Sequence, residues 1–126
     1  MELKGKILLI NDDVLELSLT SLLFTLHGYK VLESRTNSLK KKYALSDSPD
    51  VIICDIKIVN HLGLEYIDHI RNNFMIPIPV IITSTLPEEE EINKIRSLSM
   101  IDYFPKPFLF EELLKKVKET TSVALN

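Results

Sequence analysis

Four short apolar runs in this chain each end on a polar residue. Ile7–Ile10 run into Asn11, Asp12 and Asp13, and Val51–Cys54 into Asp55. Val80–Thr83 run into Ser84, and Ile101–Phe104 are followed closely by Lys106. Runs of this length, rich in Ile and Val, read as buried parallel strands. In an open parallel sheet, sites form outside the carboxyl ends of the strands. Residues distant in sequence are thereby gathered on one rim: carboxylates, a hydroxyl and an ammonium. That set suits a divalent cation and a phosphoryl group.

The strands expected to begin near residues 7, 29, 51, 80 and 101 are separated by 22, 22, 29 and 21 residues. Each interval holds a crossover helix, which parallel pairing requires. Leu15, Leu19, Leu22, Leu23 and Leu26 are spaced as one apolar stripe of a first helix, expected to face the core, with Gly28 as its C-terminal cap. Weaker helical patterns cover 39–45 and 64–70, and Thr85–Glu88 has the form of a capping box for a fourth helix. A last helix is expected from about Phe108 to Glu119, with Leu109, Leu113 and Val117 inward and 120–126 a frayed tail. Proline at 77 and 79 makes that segment an approach to the fourth strand. The alternation gives an α/β fold, a three-layer αβα sandwich. Its five-stranded parallel sheet takes the flavodoxin-like order 2-1-3-4-5.

With 126 residues the chain fits a single domain, 1–126, with one core. Its net charge of −3 gives no reason to expect a nucleic-acid surface. The one cysteine, Cys54, lies within an apolar run, so it reads as a buried thiol and excludes a disulfide framework. No apolar stretch approaches the ~18 residues of a membrane span, and residues 1–5 lack a signal-peptide core, so a cytoplasmic location is expected. His27, His61 and His69 form no metal-spaced pair, and His27 reads as a helix-end residue.

A cation such as Mg²⁺ is held by one or two carboxylates plus water and phosphate oxygens, which Asp12 and Asp55 can supply. A carboxylate such as Asp55 can also accept a phosphoryl group as an acyl phosphate. Lys106 would screen the charge, and Ser84 would donate to a phosphoryl oxygen. Each residue has a plainer reading as well. Asp12 and Asp13 suit helix caps, Asp55 and Ser84 suit turns, and Lys106 between Pro105 and Pro107 suits a loop. The conjunction of all four favours the shared site.

Taken together, Ile7–Asp13, Val51–Asp55, Pro79–Ser84 and Asp102–Phe108 resemble the receiver domain of two-component response regulators. Asp12 to Asp55, Asp55 to Ser84 and Ser84 to Lys106 are 43, 29 and 22 residues apart. The resemblance covers nearly the whole chain and implies roles residue by residue. Asp55 is the phosphoacceptor. Asp12, Asp55 and the backbone carbonyl of Lys57 hold Mg²⁺, and Asn11 contributes weakly, through water. Ser84 and Tyr103 are the switch residues, and Lys106 pairs with the phosphoryl group across a Lys106–Pro107 bond that is often cis in relatives.

It further implies a donor, a histidine kinase or phosphotransfer protein, and a downstream protein partner. A monomer or weak dimer through the face of helix 4, strand 5 and helix 5 is expected, with no enzyme activity beyond the domain's own phosphorylation and dephosphorylation. Asn11 stands where an acidic residue is usual, which suggests weaker Mg²⁺ binding. Lys57 and Leu86 border the path of attacking water, which suggests a long-lived acyl phosphate. Val59 and Ser99 depart from the usual proline and glycine. The alternative is a diverged receiver that binds a partner without phosphorylation. A phosphatase is disfavoured because Asp55-Ile56-Lys57 lacks a second carboxylate.

Overall fold

The computed structural model describes residues 3–35, 48–55, 71–72, 77–85, 93 and 100–125. The described elements are β1 (Gly5–Ile10), α1 (Val14–Leu26), β2 (Tyr29–Ser34), β3 (Val51–Asp55), β4 (Val80–Thr85), β5 (Ile101–Lys106) and α2 (Phe110–Leu125). The strands form one sheet in the order β2-β1-β3-β4-β5, and every pairing is parallel. The sheet expected from the apolar runs is therefore present, in the expected order. The helical patterns at 39–45 and 64–70 and the capping box at 85–88 fall at or beyond the edge of the described residues.

The central strands are buried on both faces, as their unbroken apolar runs require. Ile7, Leu9, Val51, Ile53 and Ile81 alternate onto one face and pack with Leu17 and Phe24 of α1 and with Leu113, Leu114 and Val117 of α2. Leu8, Ile10, Ile52, Cys54 and Ile82 alternate onto the other and are fully buried. Burial pushes the Cys54 thiol far up from its usual range, with the negative charges of Asp55 and Asp12 adding to it. That thiol is an inert core group.

The stripe of leucines in α1 does not face the core. Leu15 is 80% exposed, and Leu19, Leu22 and Leu26 are also largely exposed, with Leu23 half-buried. Leu17 and Phe24 are the buried residues. The reason lies in composition: VLELSLTSLLFTL is apolar on nearly every side, so leucine spacing alone does not select a face. Aromatic packing selects it. Phe24 meets Tyr29 edge-on at 5.8 Å and Phe110 at 4.8 Å. Gly28 ends the helix with φ +93°, in the left-handed region where a side chain is strained. His27 is the C-cap, as its position before the glycine implied, with its ring nitrogen on the Leu23 carbonyl at 2.8 Å.

The last helix also departs from expectation at both ends. Leu109 is 66% exposed, whereas Leu113 and Val117 are buried as expected. Leu109 precedes the helix and acts as its cap: its carbonyl accepts from Glu112 N–H and its own N–H donates to Glu112 Oε1 at 3.0 Å. Helical periodicity therefore does not extend back to it. Residues 120–125 continue α2 instead of fraying. Thr121 is buried, and its hydroxyl donates to the Val117 carbonyl one turn earlier at 2.8 Å.

Candidate functional site

The site forms at the carboxyl ends of β1, β3 and β5, where the sheet register brings three side chains together. Asp55 closes β3, Asn11 follows β1, and Lys106 closes β5. The Asn11 amide donates to Asp55 Oδ2 at 3.2 Å, and the Lys106 ammonium donates to the same oxygen. Asn11 is buried, and the side chains of Asp55 and Lys106 are only 13% and 16% exposed. Three of the residues singled out in the sequence thus meet across 95 positions of chain, as the strand order requires.

A fourth participant was missed. Glu16, in the first turn of α1, accepts a hydrogen bond from Lys106, so one ammonium bridges two carboxylates. Nothing in the sequence marked Glu16, because an acid in a first helical turn is already explained by the helix dipole. Its backbone is held by Asp13, the N-cap, whose Oδ1 accepts from Glu16 N–H at 3.0 Å. Asp13 is accordingly a cap, the plainer of its two readings.

The hydrogen bonds fix the orientation of Asn11. Its Oδ1 accepts from Asp13 N–H at 2.9 Å, so its NH₂ must face Asp55. Asn11 is therefore a hydrogen-bond donor to the Asp55 carboxylate. Asp12 is exposed, and its carbonyl accepts from Arg35 at 3.4 Å. The register pairs Ile10 with Cys54, so Asp12 and Asp55 follow β1 and close β3 at the same end of the sheet.

Burial raises Asp55 above its ordinary carboxylate range; Lys106 pulls it back down by hydrogen bond and charge, and Glu16 pushes it up. For Lys106, burial lowers the ammonium but the bonds to Asp55 and Glu16 outweigh it, so the group is held above its usual range. The Lys106–Pro107 bond is cis, as the resemblance implied.

Ser84 and Tyr103 lie on neighbouring strands. Ser84 is fully buried and stands opposite Pro105, and the Tyr103 hydroxyl reaches the Ser84 carbonyl at 3.5 Å. The residue in register with Asp55 is Thr83, one position earlier, and paired residues of parallel strands share a face. Thr83 is a hydroxyl that sequence reading passed over, because it lies inside the apolar run. A cavity of about 150 Å³ opens beside Asp55, lined by Leu19, Leu23, Ile53, Phe108 and Thr83, and leaves the carboxylate an approach from outside. Lys57, Val59, His61, His69, Leu86 and Ser99 lie outside the described residues.

The carboxylates of Asp12 and Asp55 are the hard oxygen donors Mg²⁺ favours, and one or two suffice when water and phosphate complete the shell. Among the described residues no group of three or more His, Cys, Asp or Glu is arranged to hold a metal by itself. The donor set fits a cation shared with a phosphoryl group rather than a closed protein cage.

The parallel 2-1-3-4-5 sheet carries a carboxylate at the end of its central strand and a lysine two strands away. The response regulator receiver domain model matches residues 7–118, and the chain belongs to this family. It is 31% identical over 97% of its length to the transcriptional regulatory protein KdpE of Staphylococcus aureus, covering 52% of that protein. It is 28% identical over 98% of its length to the regulatory protein VirG of Rhizobium radiobacter, covering 48%. The chain thus spans about half the length of these relatives.

Among solved structures, a receiver domain protein from Clostridium thermocellum superimposes with a TM-score of 0.80 at 22% identity, over 95% of this chain and 96% of that one. The chemotaxis response regulator CheY4 of Vibrio cholerae gives 0.72 at 22% identity, over 95% and 99%. At these identities the likeness is one of fold. No described helix is long and apolar enough to cross a membrane.

Proposed function

We propose that this receiver domain takes a phosphoryl group on Asp55 from a histidine kinase or phosphotransfer protein and passes the signal to a protein partner through a change of surface. The observation that supports this most is the Asp55 carboxylate, recessed at the end of β3 with the Lys106 ammonium on it. Asp55 Oδ attacks the donor's phosphorus as the bond from phosphorus to the donor atom breaks. Lys106 offsets the charge that accumulates. Asp12 and Asp55, with the Lys57 carbonyl, would hold Mg²⁺, which supplies further charge neutralisation when bound.

The new group adds charge and acceptor oxygens at the sheet rim. Ser84 would respond to it, and Tyr103, already hydrogen-bonded to Ser84, would move with it. Leu86 and Lys57 would flank the path of water. The domain turns over no other substrate, and it works in the cytoplasm.

Incubation with a small acyl-phosphate donor and Mg²⁺, followed by intact mass, tests the proposal. One added phosphoryl group that is lost in Asp55→Asn supports it. A second reading has its own observation. Asp55 already accepts from both Asn11 and Lys106, a satisfied arrangement that a domain binding its partner without phosphorylation would also show. Absence of any adduct would favour that reading.

A further inference from the structure

We infer that Glu16 is a positioning residue of the acceptor site: it holds one side of the Lys106 ammonium and so limits the lifetime of a phosphoryl group on Asp55. The part about lifetime rests on the function proposed above; the part about Lys106 does not.

The geometry singles out Glu16 from the other acids of the rim. Asp13 is spent on the helix cap, and Asp12 is exposed. Glu16 turns back across the site to meet a lysine 90 residues away. Its backbone is pinned by the cap, so its carboxylate is presented from a fixed first turn rather than from a loop. Lys106 has three N–H donors and gives one each to Asp55 and Glu16, from a side chain only 16% exposed. The trio of two carboxylates and one ammonium carries a net negative charge before any phosphate arrives.

The position-11 amide bears on this. Asn11 places no charge beside Asp55, so Glu16 is the second carboxylate that shares the lysine. An acid displaced to the helix does not do what one beside the acceptor would do. It shares the ammonium with Asp55 and competes for it.

A phosphoryl group on Asp55 brings roughly one further negative charge to the side of Lys106 that faces β3. The lysine must then be shared between that group and Glu16. Loss of the group follows a balanced step. A water oxygen bonds to phosphorus as the bond from phosphorus to Asp55 Oδ breaks. Asp55 leaves as a carboxylate, and the water's proton passes to solvent. Glu16, by holding Lys106, leaves the ammonium less free to stabilise the phosphorylated state. Glu16→Gln keeps the size and one acceptor oxygen but removes the charge. For unit charges a few ångströms apart at a partly screened site, that removal lengthens the lifetime by about ten-fold.

The test pairs two measurements on the whole chain. After treatment with acetyl phosphate and Mg²⁺ and removal of the donor, the adduct is followed by intact mass in the parent, Glu16→Gln, Lys106→Met and the double variant. The inference expects the ten-fold gain in Glu16→Gln and no gain from Glu16→Gln when Lys106 is already Met, since Glu16 acts through that lysine. Equal lifetimes, or a gain that persists without Lys106, would overturn it. The second measurement needs no phosphorylation: nuclear magnetic relaxation of the Lys106 Cε methylene. Glu16→Gln should make it distinctly more mobile in the unmodified protein. If the parent forms no adduct, the acceptor reading fails on its own and this measurement decides the role of Glu16. An unchanged Lys106 signal would sink it.

Discussion

Replacing Lys106 by Met should destabilise the domain through the two acids it bridges. A buried ion pair broken from one side costs about 3–5 kcal/mol, and an exposed pair costs about 0–1. Here the Asp55 and Lys106 side chains are 13% and 16% exposed and Glu16 is 39% exposed, so the site lies between these limits. Asn11 still donates to Asp55 and softens the loss. A cost of about 2 kcal/mol follows, or a fall in Tm of about 8 °C for a chain of this size.

The cost should depend on pH in a defined direction. Burial already holds Asp55 above its ordinary range, and removing Lys106 takes away what lowers it. A carboxyl raised in the folded state disfavours folding once it is ionised and carries no such penalty when protonated. The deficit of Lys106→Met should therefore be full at neutral pH and shrink as pH falls toward about 4. Adding Asp55→Asn to Lys106→Met should restore half or more of the loss, because the uncompensated charge is then gone. Urea unfolding of the parent, the two single variants and the double variant, at pH 7 and near pH 4.5, measures this. A double variant no more stable than Lys106→Met, or a deficit that does not vary with pH, would refute the reasoning.

Other outcomes are expected. Asn11→Asp replaces a donor to Asp55 by a like charge, so it should lower stability by about 1–2 kcal/mol without divalent cations. Mg²⁺ should restore more of that loss than it adds to the parent; thermal melts with and without Mg²⁺ decide this. Phe24→Ala empties a fully buried site between Tyr29 and Phe110 and should cost about 3–5 kcal/mol by urea unfolding. Leu15→Lys, at a residue 80% exposed, should stay within about 0.5 kcal/mol of the parent. A large loss there would show that the leucine stripe is packed after all.

What the sequence disclosed, and what it hid, follow from the range of the forces involved. The strands were legible because a buried parallel strand must be apolar throughout, and the rim residues because chain polarity places every strand end on one side. The meeting of Asp55 with Lys106 follows from that alone. The buried face of α1 was not legible, since leucines surround the helix and the choice was made by Phe24 against two aromatics from β2 and α2. Leu109 fitted the spacing of Leu113 and Val117 but lies outside the helix that gives the spacing meaning. Glu16 was hidden by having a sufficient local explanation. Asn11 was read by the charge it lacks, whereas the structure shows what its amide supplies, a hydrogen bond to the acceptor oxygen.

The measurement that bears most directly on the whole account is the intact mass of the chain after exposure to acetyl phosphate and Mg²⁺, with the modified residue located by fragmentation. A single phosphoryl group on Asp55, absent from Asp55→Asn, is the expected result. A phosphoryl group on any other residue, or none at any donor concentration, would contradict it.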